Sequence, residues 1–201
     1  MNYALLVILS LSFSGCVGMY VRENTYSATT APATINGAQV QIALKPMGGD
    51  SYGSVSAMVV GIGAGKTDGP FIWRVEGQGQ AGIHRDLYVN HLMVETSATQ
   101  RSEPYDKKLL NFRAEFSPLK KEPQSSFANY QIPGKLKVYP ETDGTITVTA
   151  QVTVTTYDEK VESKTIKATL HPKSFHNYES VFIPTEIYNS FGAEDPTEWK
   201  W

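Results

Sequence analysis

The chain has a single cysteine, Cys16, in 201 residues. It can form no disulfide within itself, and a thiolate zinc centre of the usual several-cysteine kind is ruled out. Basic charge is not in surplus either, with 18 Lys and Arg set against 20 Asp and Glu. A nucleic-acid binder carries a basic patch or stripe, so nucleic acid is not expected as a partner. Long apolar runs are also missing. The longest, Tyr3 to Phe13, covers about 11 residues and is interrupted by Ser10 and Ser12. A helix that crosses a bilayer takes roughly 20.

Histidines are few, and their spacing is unhelpful to a metal. His84 and His91 are an odd number of residues apart, as are His171 and His176, so in regular strands each pair faces opposite sides. No metal ligand and no cofactor are expected. Two motifs come close to chemistry and stop short. Gly49-Asp50-Ser51-Tyr52-Gly53 has the spacing of a nucleophile elbow, which exposes a serine on a strained turn between strand and helix. Its Gly-Asp-Ser start resembles the first block of the GDSL esterases. Their Asp-x-x-His partner block is missing, because Ala168 precedes His171 and Lys173 precedes His176 at that spacing. Gly61 to Thr67 ends like a phosphate loop, but Val60 stands where that motif requires glycine, and Asp68-Gly69-Pro70 follows where a helix should begin. No catalytic residue is assigned, and the chain is expected not to be an enzyme.

What is present begins with the short apolar run itself. Its length suits a secretory signal rather than a membrane span. It closes on Phe13-Ser14-Gly15-Cys16, which places the only cysteine directly behind small residues. This stretch resembles a bacterial lipobox, departing from the family pattern in Phe13, where Leu is usual, and in the absence of Lys or Arg before the run. The resemblance implies a signal peptide over residues 1–15 and acylation of Cys16, with the membrane as partner through the lipid. Val17, rather than Asp, after the cysteine resembles the sorting signal for retention at the outer membrane. Residues 16–38, rich in Ser, Thr, Ala and Pro, read as a tether between lipid and domain.

Residues 39–201 read as a single β-sandwich domain with a short tail ending in Trp199-Lys200-Trp201. Val40, Ile42 and Leu44 alternate with polar neighbours, as do Phe71, Trp73 and Val75. Val55 to Ile62 reads as one mostly apolar strand, followed by a flexible loop with Gly61, Gly63, Gly65 and Gly69. Ile83 to Thr96 fits helical and strand spacing alike, and its β-branched and aromatic content favours a strand. Arg101 to Gln131 is polar, with one strand expected across Leu110, Phe112, Ala114 and Phe116. The plainest signal is Thr145 to Tyr157. There Ile146, Val148, Ala150, Val152 and Val154 form one face, and threonines with Gln151 form the other. Strands are also expected at Leu136–Val138, Thr165–Leu170 and Val181–Ile183, and one helical turn from Pro184 through Phe191.

Short strands without a helical crossover predict an all-β chain, an antiparallel β-sandwich immunoglobulin-like in outline. Together with the leader, this predicts a lipid-anchored envelope protein acting as a structural or binding module, with other envelope proteins or glycans as partners. Two alternatives are carried. One is a carbohydrate-binding domain using Tyr52, Tyr88, Tyr130, Tyr139, Tyr157, Tyr178, Tyr188, Trp199 and Trp201. The other is a serine esterase using Ser51 with His171 or His176.

Overall fold

The computed structural model describes the backbone of residues 16–46, 50–57, 60–67 and 69–182, and the side chains of residues 23–45 and 69–176. The protein is all-β: 63% of it lies in strands, mostly antiparallel and arranged in two sheets, sandwich-like as expected. In chain order the strands are β1 (Cys16–Ala28), β2 (Ala33–Ile35), β3 (Ala38–Pro46), β4 (Asp50–Ala57), β5 (Val60–Thr67), β6 (Phe71–Gln80) and β7 (His84–Thr96). They continue with β8 (Ser102–Pro104), β9 (Ala114–Glu115), β10 (Ser117–Pro118), β11 (Ser125–Gln131), β12 (Ile146–Thr156) and β13 (Val161–Phe182). A 3-10 helix covers Lys107–Leu110, and one turn of helix, α1, covers Pro140–Asp143.

The described residues divide into two compact units. The first takes residues from Met1–Asn24, Gly48–Asp68 and Ser174–Ala193. Its sheet runs in the order β4-β5-β1-β13, with β5 antiparallel to β4 and parallel to β1. The second takes residues from Thr25–Met47 and Gly69–Lys173. It holds the sandwich: a five-stranded sheet in the order β10-β11-β6-β3-β2, and a sheet in which β13, β12, β7 and β8 follow one another, with β9 added to β7.

The core of this second unit is drawn from one face of each sheet. Alternation puts Ile146, Val148, Ala150, Val152 and Val154 of β12 fully inside, together with Leu87, Val89 and Leu92 of β7. The other sheet supplies Phe71, Trp73 and Val75 of β6, Val40 of β3, and Ala128 and Tyr130 of β11. Burying a large apolar side chain contributes about 1.5–3 kcal/mol, which makes this face the chief source of stability. The hydroxyl face of β12 is wet only in its first half. Gln151 is exposed, but Thr153 and Thr155 are buried, and Thr153 Oγ1 bonds to Asn90 Nδ2 at 2.8 Å and Ser163 Oγ at 2.7 Å.

The stretch expected as strand from Ile83 to Thr96 is strand from His84, with β7 paired to β12 along its length. Several local expectations are corrected. The region expected as a tether contains β1 and the hairpin β2–β3. The turn of that hairpin, Asn36-Gly37, has φ of 50° and 87°, the left-handed pair that a two-residue hairpin requires. Val55–Ile62 is not one strand, because β4 ends at Ala57 and β5 starts at Val60, and the two pair antiparallel. Gly61, Gly63 and Gly65 lie inside β5, where pairing on both sides outweighs the entropy that glycine loses. Leu110 closes the 3-10 helix, so the expected strand there shrinks to Ala114–Glu115. β11 forms inside the stretch read as polar, with Ser126 and Ala128 filling buried positions. Leu136 makes only an isolated bridge to Phe71. β13 runs unbroken through Pro172, and its pairing with β12 covers Val161 to Leu170, so the missing proline donor costs that ladder nothing. The turn expected over residues 184–191 and the tail tryptophans lie outside the described residues.

Candidate functional site

Cys16, the expected lipidation site, is the first residue of β1 and stands in register with Val60 of β5. An acyl group there would join directly to a paired strand rather than to a loose linker. Residues 1–15 lie outside the described residues.

Ser51 lies within β4, in register with Gly65 of β5, and β4 continues beyond it to Ala57. A nucleophile elbow needs a sharp turn from strand into helix, and the backbone here is strand on both sides of the serine. Its side chain is outside the described set.

The histidines with described side chains have separate roles. His84 is buried, at 3% exposure, and both ring nitrogens are engaged. Nδ1 accepts from the Gln80 amide at 2.9 Å, and Nε2 donates to the Asn36 carbonyl at 3.0 Å. That pattern fixes a neutral tautomer and leaves no lone pair for a metal. Phe116 lies against the ring, 5.3 Å between centroids. His84 thus ties the β6–β7 turn to the β2–β3 hairpin. Asn36 completes the tie by donating from Nδ2 to the carbonyls of Val154 and Lys160, at 3.3 and 3.0 Å. His91 is exposed on β7, and His171 is exposed on β13 with Nδ1 3.2 Å from Thr145 Oγ1. His176 is exposed near the described end of β13. Among the described residues no three His, Cys, Asp or Glu side chains converge as metal ligands.

The tyrosines do not assemble into a platform among the described residues. Tyr130 is a core residue whose hydroxyl donates to the Leu110 carbonyl at 2.6 Å, and burial pushes its pKa up. Tyr157 is bonded beside Ile83, at the start of β7, and Tyr139 leads into α1, which is bonded to Ala98 just past the end of β7. Thirteen residues of strand, about 40 Å at ~3.3 Å each, lie between those two places. Tyr88 sits between them, half-buried, with the Arg113 guanidinium 5.5 Å from its ring centre. One ring face is therefore already taken by a cation. Tyr88 also borders an open depression of about 510 Å³ with Asp106, Lys107, Lys108 and Asn111.

Two charged clusters went unseen in the sequence. Asp86, 5% exposed, accepts from Arg85 Nε at 2.9 Å and from Arg113 Nη1 at 2.6 Å. Burial pushes its pKa up, and the bonds from Arg85 and Arg113 outweigh that and hold it below the ordinary carboxylate value. Asp143 is the second, and it ends α1. It accepts from Thr99 Oγ1 at 2.6 Å and the Tyr139 amide at 2.8 Å, with Arg101 Nη2 at 3.0 Å. Burial again raises its pKa, and Thr99, Tyr139 and Arg101 together lower it further than burial lifts it. Both carboxylates are held ionised and fully bonded, which suits fixing loops and not proton transfer. Finally, a cleft of about 230 Å³ opens in the second unit, lined by Ala28, Val40, Ile42, Thr165, Ile166 and Lys167 among others. It is smaller than the roughly 300–1,000 Å³ usual for small-molecule sites.

The fold and these sites define a class no finer than an all-β, sandwich-like protein. Compared with protein-family models, curated proteins and solved structures, the chain matches none.

Proposed function

We propose that the protein is a lipid-anchored cell-envelope protein, held at the bacterial outer membrane through acylated Cys16, whose β-sandwich serves as a non-enzymatic structural or binding module. The observation that carries this reading is the position of the only cysteine, behind Ser14-Gly15 at the end of the apolar run. Two acyl chains anchor durably because each buried CH₂ contributes about 0.8 kcal/mol. The bonded state of His84, Asp86 and Asp143 supports the non-enzymatic part, since each is committed to holding loops.

Intact-mass measurement on detergent-extracted protein tests the anchor. The expected species begins at Cys16 and carries the mass of the added lipid, and Cys16→Ser releases the protein from the membrane fraction. An unmodified N-terminus at another position overturns the anchor. A fluorophosphonate probe tests the module: the expected result is no labelling, and stoichiometric modification of Ser51 makes the protein an esterase instead.

A further inference from the structure

The geometry points to a second membrane contact beside the lipid: the β4–β5 hairpin rests on the bilayer through the face that it shares with Cys16. This rests on acylation of Cys16. The register supplies the argument. Ala57 pairs with Val60 and Val55 with Ile62, and residues paired across a ladder lie on the same face of a sheet. Cys16 pairs with Val60 across the other edge of β5, so it belongs to that face as well, at its Ala57–Val60 end. The opposite face of the hairpin carries Ser54 with Gly63 and Ser56 with Gly61.

The distribution of charge has the same polarity. The chain has no Asp, Glu, Lys or Arg from Met1 to Val21 or from Ser51 to Gly65. Charge resumes on one rung, where Arg22 pairs with Lys66 and Lys66 with Asp50. From Cys16 to Arg22 is six residues of strand, ~20 Å at about 3.3 Å each. The Cys16 end of β1, β4 and β5 is thus uncharged, and the charged rung of these three strands stands at their far end. A bilayer is the occupant that an uncharged, partly apolar sheet end meets when its neighbouring residue is lipidated. Strand edges keep access to water at interfacial depth, so a shallow contact leaves no peptide group unpaired in hydrocarbon.

Acylation consumes the only thiol, so a new cysteine labels uniquely. Full-length lipidated Ala57→Cys, Ser56→Cys and Val161→Cys are each labelled with an environment-sensitive dye and reconstituted in phosphatidylethanolamine–phosphatidylglycerol vesicles. The label at position 57 should blue-shift, resist iodide and be quenched by brominated acyl chains. The label at position 56 should be quenched less, and that at 161 should stay iodide-accessible. Position 57 as accessible to iodide as position 161 overturns the contact. A blue shift at 57 without bromine quenching also overturns it, because a second copy of the chain then covers the face. If acylation itself fails, Cys16 takes up dye and the lipid mass is missing, which separates that failure from failure of the hairpin contact.

Discussion

His84 shows how one residue type can carry opposite meanings. A histidine with a free ring nitrogen invites metal or acid–base chemistry, and His84 has none, since Gln80 and Asn36 hold both. Its replacement by leucine leaves a backbone N–H and a C=O unpaired in a buried place. Each such group costs about 1–3 kcal/mol, so His84→Leu should lower the urea midpoint by the equivalent of roughly 2–4 kcal/mol. The neighbouring Gly79 fits only because it has no side chain: a Cβ there would stand 2.5 Å from His84 Nδ1. Gly79→Ala should therefore destabilise as well, since the added Cβ also meets His84 Cγ at 2.7 Å. The odd spacing of His84 and His91 puts them on opposite faces of a strand, but which of the two is buried was not legible in the sequence. Burial of one and exposure of the other follow from strand parity in a register that only the folded sheet sets. Cys16 is the contrary case, singled out by its place in the sequence before any fold was known.

Elements were legible where apolar residues mark every buried position. β12 and β6 read directly, because Val, Ile and Trp fall at alternate places and the structure buries those places. β11 did not, because its inward positions are Ser126, Ala128 and Tyr130 while Phe127 turns outward toward Arg74. The β2–β3 hairpin was missed although Asn36-Gly37 is a strong turn signal, because Ser, Thr, Ala and Pro around it look like linker. The left-handed backbone at Gly37 gives a direct check. An L-residue in that conformation costs about 1–2 kcal/mol, so Gly37→Ala should lower stability by about that amount, and Gly37→Asn by less. On β12 the two faces should separate in the same way. Val148→Ala, on a side chain with no exposure, should be clearly destabilising, whereas Thr149→Ala on the half-buried face should stay within about 1 kcal/mol of wild type. Denaturant midpoints on the four variants check this.

At the scale of the whole molecule, near-neutral charge leaves little net repulsion at pH 7, so specific carboxylates decide how the protein responds to acid. Among the described residues Asp86 and Asp143 are the two buried ones, and both have pKa values below the ordinary range. A carboxylate with a depressed folded-state value stabilises the protein above its unfolded pKa of about 3.9 and loses that contribution as pH falls through the folded value. Stability should therefore hold from pH 7 down to about 5 as far as these groups are concerned, and fall as pH drops below about 4. Asp143→Asn keeps one acceptor oxygen where Thr99 and the Tyr139 amide donate to two, and it removes the titrating charge. Its urea midpoint should be below wild type at pH 7, and the gap should narrow as pH is lowered, since the wild-type carboxylate is then protonated too. Asp86→Asn should behave alike, with the loss at pH 7 limited because Arg85 and Arg113, like Arg101 beside Asp143, are partly exposed and can return to water. A gap that stays constant from pH 7 to pH 3 would show that neither carboxylate is coupled to folding through its charge.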